Sequence, residues 1–101
     1  MISIDLTGKV VVITGGIQGL GKATASMFLR AGAHVAVNYF DDPTGVSRQI
    51  AEQAALEWGD AGLVQVADVR SRSDMTAFGQ SAKARFGRLD FLINNAAILR
   101  D

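Results

Sequence analysis

Val10-Val11-Val12-Ile13-Thr14, a short β-branched run, passes directly into Gly15-Gly16-Ile17-Gln18-Gly19-Leu20-Gly21. The first segment has the composition of a strand buried on both faces, and such a strand demands covering elements on either side of its sheet. The glycines let the backbone approach a neighbour or a ligand closely. The amides that open the helix-like segment after them point at negative charge. Strand, glycine turn and helix, in that order, is the context in which such a turn holds a pyrophosphate. A tight turn that holds nothing would carry the same glycines, and that alternative stays open here.

The same alternation continues along the chain. Gly19 to Ala31 reads as a helix with Leu20, Ala23, Met27, Phe28 and Ala31 at near-helical spacing and Gly32 as its stop. His34 to Tyr39 is a second buried strand. Asp42-Pro43 suits a helix entry, Asp as the cap and Pro at the first helical position. That helix runs to about Trp58 with Val46, Ile50, Ala54 and Trp58 on one face. Leu63 to Ala67 is a third strand. Ser73 is expected to cap a third helix carrying Met75, Phe78, Ala82 and Phe86 inward, with Gly87 closing it and Gly79 costing it about 1 kcal/mol relative to Ala. Phe91 to Asn94 is the fourth strand. The order β-α-β-α-β-α-β argues for a parallel α/β sheet with helices on both faces. Right-handed crossovers then give a partial Rossmann-like sheet of order 3-2-1-4, truncated before a fifth strand, with ligand at the carboxyl ends of strands 1 and 4.

The remaining composition mostly excludes. Lys plus Arg equals Asp plus Glu at 10 each, so nothing points to nucleic acid or an anionic membrane as partner. Cysteine is absent, which removes disulfides and cysteine-based metal sites. No secretory signal and no apolar run of about 18 residues is apparent, so a cytoplasmic protein is expected. No carboxylate pair with a histidine suggests a metal or hydrolytic centre. His34, the one histidine, falls at the end of the sheet away from the ligand and is expected at the surface.

Leu6-Thr7-Gly8-Lys9-Val10-Val11-Val12-Ile13-Thr14-Gly15, then Gly19-Leu20-Gly21, Asp68-Val69 and Gly87-Arg88-Leu89-Asp90-Phe91-Leu92-Ile93-Asn94-Asn95-Ala96-Ala97 follow one another in the chain. Together they resemble the N-terminal half of a short-chain dehydrogenase/reductase, over essentially all 101 residues. Ala97 departs from the pattern, where the family more often has Gly. The resemblance implies that Gly15, Gly19 and Gly21, with the backbone at Ile17, Gln18 and Leu20, cradle the pyrophosphate of NAD or NADP. It implies that Asp68 accepts from the adenine amino group while Val69 packs on the ring. A cap of the following loop is the other reading of Asp68. Asn94 and Ala96 would lie against the adenosine and nicotinamide riboses. Asn95 would tie strand 4 to its neighbours, and Asp90 would satisfy backbone donors in the turn before it.

Cofactor choice is read at the end of strand 2, where a carboxylate accepts from a ribose 2′-hydroxyl and an Arg pairs with a 2′-phosphate. Tyr39 aligns with the usual acidic position and Phe40 with the place where Arg often occurs. With no cation there, and Asp41 and Asp42 close by, the sequence leans toward NAD.

In the family, a Ser and a Tyr-x-x-x-Lys pair carry the proton chemistry of hydride transfer, and they lie beyond strand 4. No catalytic residue is therefore assigned among these 101. The expected domain is residues 1–101 as the dinucleotide-binding half of an NAD(P)-dependent oxidoreductase acting on an alcohol or carbonyl, present as a fragment. The alternative is a non-catalytic dinucleotide-binding module completed by a partner chain. An apolar strand-4 edge without a neighbour would favour self-association.

Overall fold

The computed structural model describes residues 4–95. Four strands, β1 (Val10–Thr14), β2 (His34–Tyr39), β3 (Gly62–Val66) and β4 (Phe91–Asn94), form one parallel sheet in the order β3-β2-β1-β4. Helices α1 (Gly19–Arg30), α2 (Val46–Trp58) and α3 (Arg72–Phe86) connect them, with a short 3-10 turn at Gly59–Ala61 before β3. The expected strand order is the observed one.

The topology follows from chirality. From β1 to β2 to β3 the chain steps in one direction across the sheet, then α3 carries it back past β1 to β4. With every crossover right-handed, the reversal puts α3 on the opposite face from α1 and α2. The core divides accordingly. On one face, Val11, Ile13, Val35 and Val37 pack with Ala25 and Ala51, flanked by Phe28, Leu29, Ile50 and Trp58. On the other, Val12 and Ala36 meet Phe78, Ala82 and Ala67, flanked by Met75 and Phe86.

The helices depart from expectation in informative ways. In α1 the buried positions are Gly21 and Ala25, whereas Leu20 and Met27 are exposed. Small residues bring this helix close to the sheet, so Leu20 and Met27 fall on its outer face, while Phe28 packs on the core as the spacing predicts. α2 begins three residues later than Pro43. Asp42 instead accepts from the Gly45 backbone N–H (2.9 Å), the Thr44 hydroxyl (2.9 Å) and the Ser47 hydroxyl (3.0 Å). Asp42 to Gly45 is thus a turn with Pro43 inside it, Gly45 is left-handed at φ 79°, and Val46 starts the helix exposed. α3 is capped by Ser71 rather than Ser73, Ser71 Oγ accepting from the Asp74 N–H at 3.2 Å. β3 lies one residue earlier than expected, although Ala67 N–H still donates to Tyr39 O (3.0 Å).

His34 stacks on Phe86 with centroids 4.9 Å apart, joining the start of β2 to the end of α3. Asp90 does satisfy a backbone donor, but the donor belongs to β1. Val10 N–H donates to Asp90 Oδ2 (2.8 Å) and Asp90 N–H donates back to Val10 O (2.9 Å). Arg88 adds two bonds to Asp90 Oδ1, at 2.7 and 3.1 Å. The Arg88 guanidinium, and then the Val10 amide, hold the Asp90 carboxyl below its ordinary value of 3.8. A lowered carboxylate stabilises the fold above the unfolded-state value and ceases to do so as pH falls through the lower folded value. Asp90→Asn should therefore flatten the acid limb of stability below pH 3.8, visible in urea midpoints taken across that range.

On the far side of β4 no strand pairs with it among the described residues, and Leu89, Phe91 and Leu92 are exposed there. With Val12, Met75 and Phe78 they line an apolar groove of about 400 Å³ between β4 and α3. No helix among the described residues is long and apolar enough to cross a membrane.

Candidate dinucleotide site

The strand order reverses between β1 and β4, so their carboxyl ends flank a crevice of the kind that receives ligands in open α/β sheets. Thr14 and Asn94 are paired there across the two strands. The turn leaving β1 is shaped from below by buried side chains. Ile17 is 3% exposed and belongs to the α1/α2-side core, which pins the middle of the turn. Gly16 lies against Val37, where a Cβ would come within 2.5 Å of the Val37 Cγ1.

Two asparagines fix the turn's first residue. The Gly15 N–H donates to Asn38 Oδ1 at 3.1 Å, and Gly15 O accepts from Asn95 Nδ2 at 3.1 Å. Asn95 N–H also donates to Thr14 Oγ1 (2.9 Å), so Asn95 ties β4 to β1 as expected. Asn38, buried inside β2, reaches the other way and donates from Nδ2 to Ala67 O at 2.9 Å. One amide side chain thus links the ends of β1, β2 and β3. Sequence reasoning passed over Asn38. The available signal was a polar residue inside the apolar run Val35-Ala36-Val37-Asn38, since a buried amide in a strand must find partners.

Above this base the turn is open. Gln18, Gly19 and Leu20 are exposed, Leu20 at 77%. Gly19 has φ +59°, and a Cβ there would meet nothing within 4 Å, so the backbone surface it presents is unobstructed. Gln18 is the N-cap of α1 but makes no side-chain cap bond, and the first turn holds no acidic residue. By contrast, the start of α3 has Ser71 Oγ on the Asp74 N–H and the acidic Asp74 in its first turn. The α1 amides thus face open space with their partial positive charge, the donor set that suits a phosphate. A pyrophosphate fits these residues. Gly21, buried on the inner side, allows the helix to start beside the turn, with Asn95 Nδ2 and Gly15 O each 2.5 Å from where its Cβ would be.

The ends of β2 and β3 form the next part of the crevice. Tyr39 is half-buried and packs against the core, and the exposed Phe40 follows it. Asp41 pairs with Arg48 at 2.7 Å through Oδ2, whereas its Oδ1 is buried without a partner. Asp42 is committed to its own turn, and the Thr44 and then the Ser47 hydroxyl hold its carboxyl below the ordinary value. Asp68 performs the loop-capping role: its Oδ1 accepts from the Arg70 N–H at 2.9 Å, and its carboxylate is paired with the Arg70 guanidinium. That pairing lowers the Asp68 carboxyl. Val69, half-buried, follows it in the same loop, and Asn94 ends β4 exposed. Ala96 and Ala97 lie outside the described residues. No group of three or more candidate metal ligands occurs among the described residues.

The sequence pattern of the family described as short chain dehydrogenase matches residues 9–101. The chain belongs to that family. Among its relatives, momilactone A synthase of Oryza sativa subsp. japonica is 42% identical over 92% of this chain and 32% of its own length. Glucose 1-dehydrogenase 2 of Bacillus subtilis is 38% identical over 91% of this chain and 35% of its own. The crystal structure of 3-ketoacyl-(acyl-carrier-protein) reductase from Brucella melitensis complexed with NADH superposes with a TM-score of 0.74 at 38% identity, covering 87% of this chain and 34% of that one. This short-chain dehydrogenase chain thus spans about a third of the length of the curated relatives it matches. The relatives' names cover different substrates.

Proposed function

We propose that residues 1–101 form the N-terminal dinucleotide-binding half of an oxidoreductase that moves hydride between a nicotinamide cofactor and an alcohol or carbonyl. The observation that carries this reading is the uncapped start of α1 beneath an open glycine turn, placed where the strand order reverses. The likeness to a reductase whose structure was solved with NADH supports it. Gly15, Gly19 and Gly21, with the backbone at Ile17, Gln18 and Leu20, hold the pyrophosphate in this proposal. Tyr39 borders the adenosine ribose, Asp68 and Val69 border the base, and Asn94 and Ala96 border the riboses. The bound nicotinamide supplies or accepts the hydride. These residues bind and orient it, and the groups that exchange the proton belong to sequence beyond them.

NAD is proposed over NADP on charge. Around the β2 and β3 ends the structure gathers Asp41, Asp42 and Asp68 against Arg48 and Arg70, three carboxylates to two guanidiniums, and each guanidinium is already paired. A 2′-phosphate entering there meets a net negative charge, whereas a ribose 2′-hydroxyl brings no charge of its own. Titration of the native-length protein with NADH and NADPH, followed by nucleotide fluorescence, should give tighter binding of NADH. Equal or tighter binding of NADPH would reject the NAD assignment, and binding of neither would reject the site.

A further inference from the structure

Arg70 lies thirty positions from Phe40 in the sequence, yet the fold lays one on the other. The Arg70 guanidinium carbon is 5.3 Å from the centroid of the Phe40 ring. The same group donates in a fork to Asp68, from Nε to Oδ1 and Oδ2 at 3.0 and 3.2 Å and from Nη2 to Oδ2 at 2.8 Å. Phe40 is the first residue beyond β2 and Asp68 the second beyond β3, and Ala67 N–H donating to Tyr39 O keeps the two exits side by side. The aromatic face and the carboxylate thus make one slot, and a planar cation fills it.

We propose that Arg70 is an internal stand-in for the adenine of the dinucleotide, filling the base slot until the ligand displaces it. The inference rests on the dinucleotide reading above. With the pyrophosphate on the β1–α1 turn and the ribose at the end of β2, the base falls at the next strand end along the sheet, between β2 and β3. The slot offers what an adenine uses, a π face for stacking and an acceptor for an exocyclic amine. A guanidinium satisfies both, because it stacks flat on aromatic rings and forks onto carboxylates. The two ligands therefore compete for the same atoms, and Asp68 becomes available to a base only when Arg70 leaves. Arg70 is also exposed on its outer side, so it has room to swing away without disturbing the core.

The binding-competent fraction of such a site is the fraction with the slot open, and the apparent affinity falls by that fraction. One exposed ion pair and one exposed cation–π contact favour the closed form by roughly three- to tenfold. In the native-length protein, Arg70→Ala should tighten binding of NADH, NADPH and 5′-AMP by the same factor, about three- to tenfold, measured by calorimetry and by NADH fluorescence. Nicotinamide mononucleotide, which lacks the base, should be unaffected. Arg70→Lys, which keeps the charge but loses the plane and the fork, should fall between. Unchanged or weaker binding of all three adenine nucleotides by Arg70→Ala would overturn the proposal. A loss confined to NADPH would overturn it too and make Arg70 a reader of the 2′-phosphate. If neither parent nor variant binds NADH, the dinucleotide reading itself fails, and the stand-in with it.

Discussion

Alanine at position 21 should abolish dinucleotide binding and destabilise the fold by about 2–3 kcal/mol, the range for forcing a methyl group into a packed site. The added Cβ would stand 2.5 Å from Gly15 O, 2.5 Å from Asn95 Nδ2 and 3.1 Å from Gly16 Cα. Two of those neighbours are backbone, and the third is the amide that already bonds Gly15 O. The strain is relieved only by pushing the glycine turn off α1, which moves the amides away from any phosphate. Urea midpoints read the first effect and an NADH titration the second. Gly19→Ala is the informative contrast. Its Cβ enters open space, so the packing cost is absent, and what remains is the left-handed backbone at φ +59°, about 1–2 kcal/mol. Parent-like NADH affinity in Gly21→Ala would refute the account of the turn.

The second large effect is expected at Asn38. Truncation to alanine strips the half-buried Gly15 N–H and the buried Ala67 carbonyl of their partner. An unsatisfied buried group costs about 1–3 kcal/mol, so Asn38→Ala should lose about 3 kcal/mol with both groups orphaned. Asn38→Asp separates the two bonds. An aspartate can still accept from Gly15 N–H, but it cannot donate to Ala67 O and sets two acceptors face to face. It should be destabilised at neutral pH and recover as the pH is lowered toward protonation of the new carboxyl. Denaturant unfolding at both pH values tests this, and a parent-like midpoint for Asn38→Ala would show that the staple holds nothing.

What the sequence made legible, and what it hid, follows from how far each signal reaches. β1, β2 and β4 have the expected bounds: β1 and most of β2 are buried apolar runs, and β4, largely exposed, is a short apolar run that ends at Asn94. The glycine turn was legible for the same local reason, since strand, turn and helix adjoin. Helix faces were less so. A reading that looks for large apolar side chains picks Leu20 and Met27, whereas α1 approaches the sheet through Gly21 and Ala25, whose smallness is the point. Helix starts slipped at α2 and α3 because Asp42 and Ser73 looked like caps, and the real start was fixed by the left-handed Gly45 and by Ser71. The absence of a cation at the end of β2 was a true statement about the neighbouring sequence and a misleading one about the space. Arg70 arrives there from the far side of β3, and no local pattern announces a partner thirty residues away.

Gly15 has its amide held by Asn38 and its carbonyl held by Asn95. Its loss of backbone freedom, about 1–2 kcal/mol per residue in TΔS, is therefore incurred when the chain folds and not when a ligand arrives. In the proposed site the end that would take the phosphates is preorganised, and a ligand gripped there would cost little of the protein's entropy. At the end proposed for the base, the protein's own contacts would first have to be exchanged. A dinucleotide entering this crevice would then dock in two stages of unequal character, a rigid anchorage at the diphosphate followed by a slower, side-chain-limited settling of the purine.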